Sequence, residues 1–78
     1  MSNLAKYDSA FTDTFQLQGS DLPGLKYQDH AAWDSVGHMQ LMAALEDVFG
    51  IELDIDDIIE FSSYQVGKTI LAKYGVTV

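Results

Sequence analysis

The chain has 78 residues, of which 47% are hydrophobic, and it contains no cysteine. This length fits one domain with a modest core, so we expect a single domain over residues 1–78. Without cysteine, the chain forms neither disulfides nor thiolate metal sites. The chain has twelve acidic residues and four lysines. The resulting net charge of −8 disfavours nucleic-acid binding, because phosphate backbones are also negative.

The sequence shows no membrane or export signal. No apolar run approaches the roughly 18 residues of a membrane span, and the first ten residues lack the apolar segment of a signal peptide. We therefore expect a cytoplasmic protein without membrane contacts. Nine acids lie between Asp29 and Glu60, with no lysine between Lys26 and Lys68. Such a field attracts basic surfaces of partner proteins, although an acidic face that only keeps the protein in solution has the same composition.

The first predicted helix is followed by a long connection. Apolar residues at spacings of three and four predict a helix from about Asn3 to Leu17, with an inner stripe of Leu4, Tyr7, Phe11 and Phe15. A connection follows over residues 18–33, a length that is uncommon in compact domains and often functional. The residues expected to attach it to the core are Leu22, Leu25 and Tyr27.

The second predicted helix carries two apolar faces. It is expected to run from Ser35 to Phe49 and to stop at Gly50. The face predicted to pack in the core holds His38, Leu41, Met42, Leu45, Val48 and Phe49. The opposite face holds Val36, Met39 and Ala43, with Gln40, Glu46 and Asp47 around them. A bundle helix needs one apolar face, so the second face is either a docking surface or a set of scattered exposed residues, which are common.

Two shorter helices complete the prediction. The stretch "IELDI" alternates like a strand but has no partner, so we interpret it as a loop before a short helix capped by Asp54 or Asp56. Ser62 and Gln65 have the spacing of a capping box at the start of the last helix, which Gly75 ends. The inner face of that helix is predicted to hold Val66, Ile70, Leu71 and Tyr74. The predicted fold is all-α, a small four-helix bundle of three main helices and one short helix.

The dipeptide Asp34-Ser35, directly before the second helix, has two interpretations. It is a helix cap, or it presents Ser35 Oγ for a phosphodiester, because the N–H groups and the dipole at a helix N-terminus favour an anion. The dipeptide alone favours the cap. A nucleophilic Ser35 with His38 as its base lacks an orienting acid and an oxyanion hole, so we predict no catalytic residue and no enzyme activity.

The acidic stretch after Leu53 does not predict a metal site. Counted from Asp54, the sixth and twelfth positions of an EF-hand loop would hold glycine and glutamate. The chain has Ile59 and Gln65 there. We therefore predict no metal ligands.

The ordered set of motifs from Asp34 onward resembles the acyl carrier protein family. The matching elements are Asp34-Ser35-Val36 at the start of the second helix, Leu45-Glu46-Asp47 and Phe49-Gly50-Ile51 at its end, a short helix from Asp56 to Phe61, and Ser62-Ser63 before the last helix. The resemblance covers about residues 4–74, including the long first loop.

The resemblance implies that Ser35, in its motif with Asp34, receives 4′-phosphopantetheine from coenzyme A through a phosphopantetheinyl transferase that uses Mg²⁺. The terminal thiol of this arm would hold an acyl group as a thioester, in keeping with a chain that has no sulfhydryl of its own. The carrier, a monomer, would dock on acyl-loading and acyl-transferring enzymes through Val36, Met39, Gln40, Ala43, Glu46, Asp47 and Asp56. The interior, lined by Leu41, Leu45, Ile59 and Phe61, would admit the acyl chain.

Three positions depart from common fatty-acid carriers. Many of those carriers have acids two and five residues after the serine, where this chain has Gly37 and Gln40. Trp33 is also not their usual residue. These departures favour a specialised pathway, for example polyketide-like synthesis or the modification of a lipid or sugar. The alternatives are an aminoacyl or peptidyl carrier, which usually has Gly-Gly-His-Ser where this chain has "AAWDS", and a small acidic helical adaptor with an unmodified Ser35.

Overall fold

The structure, a computed structural model, describes residues 2–78 and confirms the all-α bundle. Within these residues it has four helices, α1 (Asn3–Phe15), α2 (Ser35–Phe49), α3 (Ile55–Glu60) and α4 (Tyr64–Ala72), and a 3₁₀ turn at Gly19–Asp21. The same residues form no strand, and one isolated antiparallel bridge joins Lys26 to Ser63. None of the described helices is long and apolar enough to cross a membrane.

The ends of the first two helices follow from local backbone chemistry. Ser2 Oγ accepts a hydrogen bond of 3.1 Å from Ala5 N–H at the start of α1. This helix ends at Phe15, two residues earlier than predicted, because Gln16 turns into the left-handed region with φ of 57°. The bounds predicted for α2 are confirmed, and Gly50 ends it with φ of 64°, a conformation that glycine adopts without strain.

The capping box predicted for α4 is wrong. Ser63, not Ser62, is the cap, and its Oγ accepts a hydrogen bond of 3.0 Å from Val66 N–H. The Gln65 side chain donates instead to the carbonyl of Pro23 at 3.1 Å. Gln65 thus attaches the long connection to α4.

The core is a cluster of aromatic and aliphatic side chains between the helices and under the long connection. The largest fully buried side chains are Trp33, Tyr7, Phe11, Phe61, Leu22, Leu41, Met42, Leu45 and Leu71. Leu22 and Leu25 are buried as predicted, and Tyr27 is half-buried.

Three residues predicted to face the core lie outside it. Leu4 is 42% exposed, Val48 is 40% exposed and Val66 is 38% exposed. Leu4 lies in the first turn of α1, and Val48 is the last but one residue of α2. Val66 turns outward because α4 packs through Gly67, whose missing side chain lets the helix approach the ring of Phe61.

Candidate functional site

Asp34 and Ser35 have separate positions at the start of α2. Asp34 has extended backbone and its Oδ1 accepts a hydrogen bond of 2.8 Å from Gly37 N–H, so Asp34 is the helix cap. Ser35 is the first helical residue and is exposed. Within residues 2–78 the Ser35 hydroxyl takes part in no hydrogen bond of the fold. The hydroxyl is therefore accessible to chemistry without loss of a structural contact.

The N-terminus of α2 suits an anion attached to Ser35 Oγ. The first N–H groups of a helix have no partner inside it, and they carry the positive end of the helix dipole. The cap bond uses the N–H group of Gly37. It leaves the N–H groups of Ser35 and Val36 available at the N-terminus of α2. Asp34 adds a negative charge nearby, but its carboxylate is held by the cap bond. The chain therefore fits a phosphate group at Ser35.

The loop before α2 is held by a hydrogen-bonded chain of three residues. Trp33 is fully buried, and its indole Nε1–H donates to His38 Nδ1 at 2.9 Å. His38 Nε2 lies 2.7 Å from the carbonyl oxygen of Ile58. The two partners assign the tautomer, because Nδ1 accepts and Nε2–H donates. His38 has both nitrogens occupied and is half-buried as predicted, so it is not a base for Ser35.

Gly37 fixes the distance between α2 and the loop that precedes it. A Cβ at this position would lie 1.9 Å from the carbonyl oxygen of Ala32 and 3.0 Å from Phe15 Cε1. Only glycine lets the first turn of α2 approach the loop this closely. Close packing therefore explains why the residue two positions after Ser35 is a glycine and not an acid.

A cleft between α2 and α3 opens beside Ser35, and we call it the α2–α3 cleft. It has a volume of about 330 Å³, and its lining residues are Tyr27, Ser35, His38, Met39, Ile58, Ile59, Phe61 and Ser62. Phe61 is buried at its base, whereas Ser35, Met39 and Ile59 are exposed at its edge.

An exposed apolar surface extends from α2 onto α3. Val36 and Met39 are 67% and 56% exposed, and Ala43 is exposed as well. Ile55 and Ile59 of α3 are each 73% exposed. Ile55 was not predicted to belong to this surface, and the prediction that Ile59 lies in the interior is wrong. Their spacing of four residues, which places both on one side of a helix, was the available signal.

The polar residues predicted for docking differ in accessibility. Gln40, Asp47 and Asp56 are exposed. Glu46 is half-buried, and its Oε2 accepts a hydrogen bond of 2.8 Å from Leu53 N–H. Glu46 therefore also holds the loop between α2 and α3.

A buried acid holds α3 against the end of α4. Asp57 is 6% exposed. Its carboxylate forms an ion pair with Lys73 and accepts a hydrogen bond from the Tyr74 hydroxyl. The Lys73 hydrogen bond lowers the pKa of Asp57 below its usual value. The Tyr74 hydroxyl also accepts a hydrogen bond of 2.9 Å from Asp54 N–H. Side chains thus position the short helix beside Ser35.

Residues 2–78 bring together no group of three or more histidine, cysteine, aspartate or glutamate side chains that could hold a metal ion. The acidic residues after Leu53 are instead divided between solvent and the contact of Asp57 with α4.

The comparisons with known proteins address this same region. Residues 32–65 match the family model described as a phosphopantetheine attachment site. No curated protein and no solved structure shows significant similarity to the chain. The matched segment contains the loop from Ala32, all of α2 and α3, and the start of α4. Members of the family carry a covalently attached 4′-phosphopantetheine group. The chain is thus a small helical bundle in which residues 32–65, with Ser35 at the start of α2, are similar to a phosphopantetheine attachment site.

Proposed function

We propose that the chain is a carrier that holds an acyl group on a 4′-phosphopantetheine arm attached to Ser35 Oγ. We further propose that it has no catalytic activity and serves a specialised biosynthetic pathway in the cytoplasm as a monomer. The observation that supports the attachment point is the exposed Ser35 hydroxyl, which the Asp34 cap leaves without a structural role.

The attachment reaction needs a separate phosphopantetheinyl transferase with Mg²⁺. An Oγ–P bond forms between Ser35 and coenzyme A, the pyrophosphate bond breaks, the serine proton is lost, and adenosine 3′,5′-bisphosphate leaves. When bound, the arm supplies a terminal thiol that holds the acyl group as a thioester. The chain contributes a fixed attachment point and a docking surface, which raise the effective concentration of the acyl group at each partner enzyme.

Replacement of Ser35 by alanine tests the attachment point. The parent chain is incubated with coenzyme A, Mg²⁺ and a broad-specificity phosphopantetheinyl transferase, and its intact mass is measured. We expect the parent to gain one phosphopantetheine and Ser35→Ala to gain none. Because Asp34 supplies the cap, Ser35→Ala should keep the free energy of unfolding within about 0.5 kcal/mol.

Asp34→Ala is the matched control for stability. It removes the cap bond to Gly37 N–H, so its free energy of unfolding should fall by about 1 kcal/mol. Absence of any mass gain in the folded parent, with a transferase that modifies another carrier, would contradict the proposal. The acidic adaptor with an unmodified Ser35 would then be the leading function. An aminoacyl or peptidyl carrier would instead gain the arm and differ only in its cargo.

We propose that partner enzymes dock on the exposed apolar surface of α2 and α3. This docking face comprises Val36, Met39, Ala43, Ile55 and Ile59, and its polar surroundings include Gln40, Glu46, Asp47 and Asp56. Apolar residues surrounded by acids fit a partner with a basic rim around an apolar centre. The face borders Ser35, so a docked enzyme is close to the attachment point.

Met39→Asp tests the docking face. We expect kcat/KM of the transferase to fall at least about tenfold, equivalent to about 1.4 kcal/mol, because an aspartate replaces an apolar contact. The melting temperature should change little, since Met39 is 56% exposed. Thr69→Asp, an exposed position on α4, changes the net charge equally and should leave kcat/KM near the parent value.

Two outcomes would overturn the docking proposal. One is an equal loss of kcat/KM in Met39→Asp and Thr69→Asp, which would show a general charge effect. The other is an affinity of the carrier for the transferase that is unchanged in about 1 M salt, where exposed charges are screened within about 3 Å.

A further inference from the structure

Helix α3 exposes apolar side chains and buries an acidic one, the reverse of the usual arrangement. Ile55 and Ile59 are each 73% exposed, whereas Asp57 is 6% exposed. Asp57 is two positions from each isoleucine, so it lies on the opposite side of the helix, at about 100° per residue. A surface helix normally buries its apolar side and exposes its charges. The orientation of α3 therefore needs an interaction that offsets both the exposed isoleucines and the buried carboxylate.

That interaction is a set of hydrogen bonds to the end of α4, formed by Asp57, Lys73 and Tyr74, which we call the α3 clamp. The Asp57 carboxylate accepts hydrogen bonds from the Lys73 ammonium and from the Tyr74 hydroxyl. The bond to Lys73 lowers the pKa of Asp57, and the same bond raises the pKa of Lys73, so both groups are charged at neutral pH. The Tyr74 hydroxyl also accepts a hydrogen bond of 2.9 Å from the N–H group of Asp54, the residue before α3.

The clamp determines which side of α3 faces inward. The helix has six residues, and a helix this short is not stable by itself in water. The buried Leu53 and Phe61 hold the residues on either side of it, and His38 bonds the main-chain carbonyl of Ile58 at 2.7 Å. Among the six residues of α3, however, Asp57 alone is buried. Its bonds to α4 therefore set the rotation of the helix about its own axis.

We propose that Lys73 and Tyr74 are positioning residues for partner recognition, because the α3 clamp holds Ile55 and Ile59 outward as part of the docking face. The inference rests on the proposed function and extends it to residues outside that face. Without the clamp, Asp57 returns to water and α3 turns its isoleucines toward the α2–α3 cleft, which Ile59 already borders. The carrier then stays folded but presents the complete docking face in only a fraction of its molecules.

Lys73→Met tests this role, because it keeps an apolar side chain and removes the charge and the donor to Asp57. The transferase reaction is measured with coenzyme A and Mg²⁺ at a temperature at which circular dichroism shows every variant to be folded. We expect KM for the carrier to rise about tenfold, the rise given by a competent fraction of about one tenth. The value of kcat should stay nearly constant, because the docked complex is the same. Tyr74→Phe, which removes only the hydroxyl, should raise KM in the same way.

Two further variants separate the clamp from a general effect of charge. Lys73→Arg restores a charged donor and should return KM nearly to the parent value. Lys68→Met removes the same charge from α4, but the Lys68 ammonium lies 4.8 Å from the centroid of the Tyr64 ring and takes no part in the clamp. It should leave KM nearly unchanged. An equal rise of KM in Lys68→Met and Lys73→Met would contradict the inference.

A combined variant separates positioning from a loss of stability. Ile55→Ala with Ile59→Ala removes the two exposed side chains that the clamp presents. In this background Lys73→Met should change KM little, because residues that act through one another are not additive. A tenfold rise of KM that persists there would overturn the inference, as would an unchanged KM in both Lys73→Met and Tyr74→Phe. A parent chain that gains no phosphopantetheine would instead contradict the proposed function.

Discussion

Gly37→Ala is expected to lower the free energy of unfolding by about 3 kcal/mol, the upper part of the range for overpacked sites. The new Cβ would lie 1.9 Å from the main-chain oxygen of Ala32. A carbonyl cannot rotate away as a flexible side chain can, so α2 or the preceding loop must shift. This cost exceeds the roughly 1 kcal/mol that alanine normally gains over glycine inside a helix. Chemical denaturation monitored by circular dichroism measures the change.

Two variants serve as controls for Gly37→Ala. Gly24→Ala places its Cβ in open space, with no atom within 4 Å, and should leave the free energy of unfolding nearly unchanged. Gln40→Glu adds a charge on the exposed face of α2 and should fold as the parent does. If Gly37→Ala unfolded at the same denaturant concentration as Gly24→Ala, the close approach to Ala32 would not constrain this position.

The close packing at Gly37 also changes how the departures from common fatty-acid carriers are interpreted. Position 37 faces the Ala32 carbonyl and has no space for an acid, so its neutral residue follows from packing. Position 40 is exposed, so packing does not require a neutral residue there, and contact with a partner protein can determine the residue type. Of these two positions, Gln40 is therefore the one that supports the proposed specialised pathway.

His38→Ala is the second substitution with a large expected effect. It removes the acceptor of the fully buried Trp33 N–H and the donor to the Ile58 carbonyl. An unsatisfied buried donor costs about 1–3 kcal/mol, so we expect a loss of about 2 kcal/mol in the free energy of unfolding. The Trp33 Nε1–H resonance should shift and its hydrogen exchange should become faster.

His30→Ala is the matched control, because the exposed His30 side chain makes one hydrogen bond, which its Nδ1 accepts from Ala32 N–H at 3.1 Å. The free energy of unfolding of His30→Ala should fall by no more than about 1 kcal/mol, and the Trp33 Nε1–H resonance should not shift. Equal losses of stability in the two histidine variants, with an unchanged Trp33 resonance, would show that the chain of bonds through His38 contributes nothing beyond an ordinary surface contact.

Long periodic elements and their end signals were predictable from the sequence. The bounds of α2 follow from its apolar spacing and from Gly50, whose left-handed φ of 64° ends the helix. The cap of α4 was misassigned because Ser62 and Ser63 both fit a cap, and Gln65, expected to complete a capping box with Ser62, donates to the carbonyl of Pro23 instead. That contact spans 42 positions and leaves no local pattern.

The sequence predicted the position of Ser35 at the start of α2 but not the positions of the side chains around it. The helix α3 has only six residues, so its inner face cannot be assigned from periodicity, and Ile59 was placed inside although it is 73% exposed. Burial of Asp57 depends on Lys73, which is 16 positions away. Such pairs are set by how the helices pack together, and one sequence contains no signal for them.

The separate positions of Asp34 and Ser35 have an evolutionary consequence. Because the cap bond runs from Gly37 N–H to Asp34, a change at Ser35 leaves folding almost untouched. Selection would therefore act on Ser35 only through the arm that we propose is attached to it. In a lineage that stopped using the arm, position 35 would drift freely while Asp34 and Gly37 would be retained, and a folded descendant with a different residue at position 35 would record the lost function.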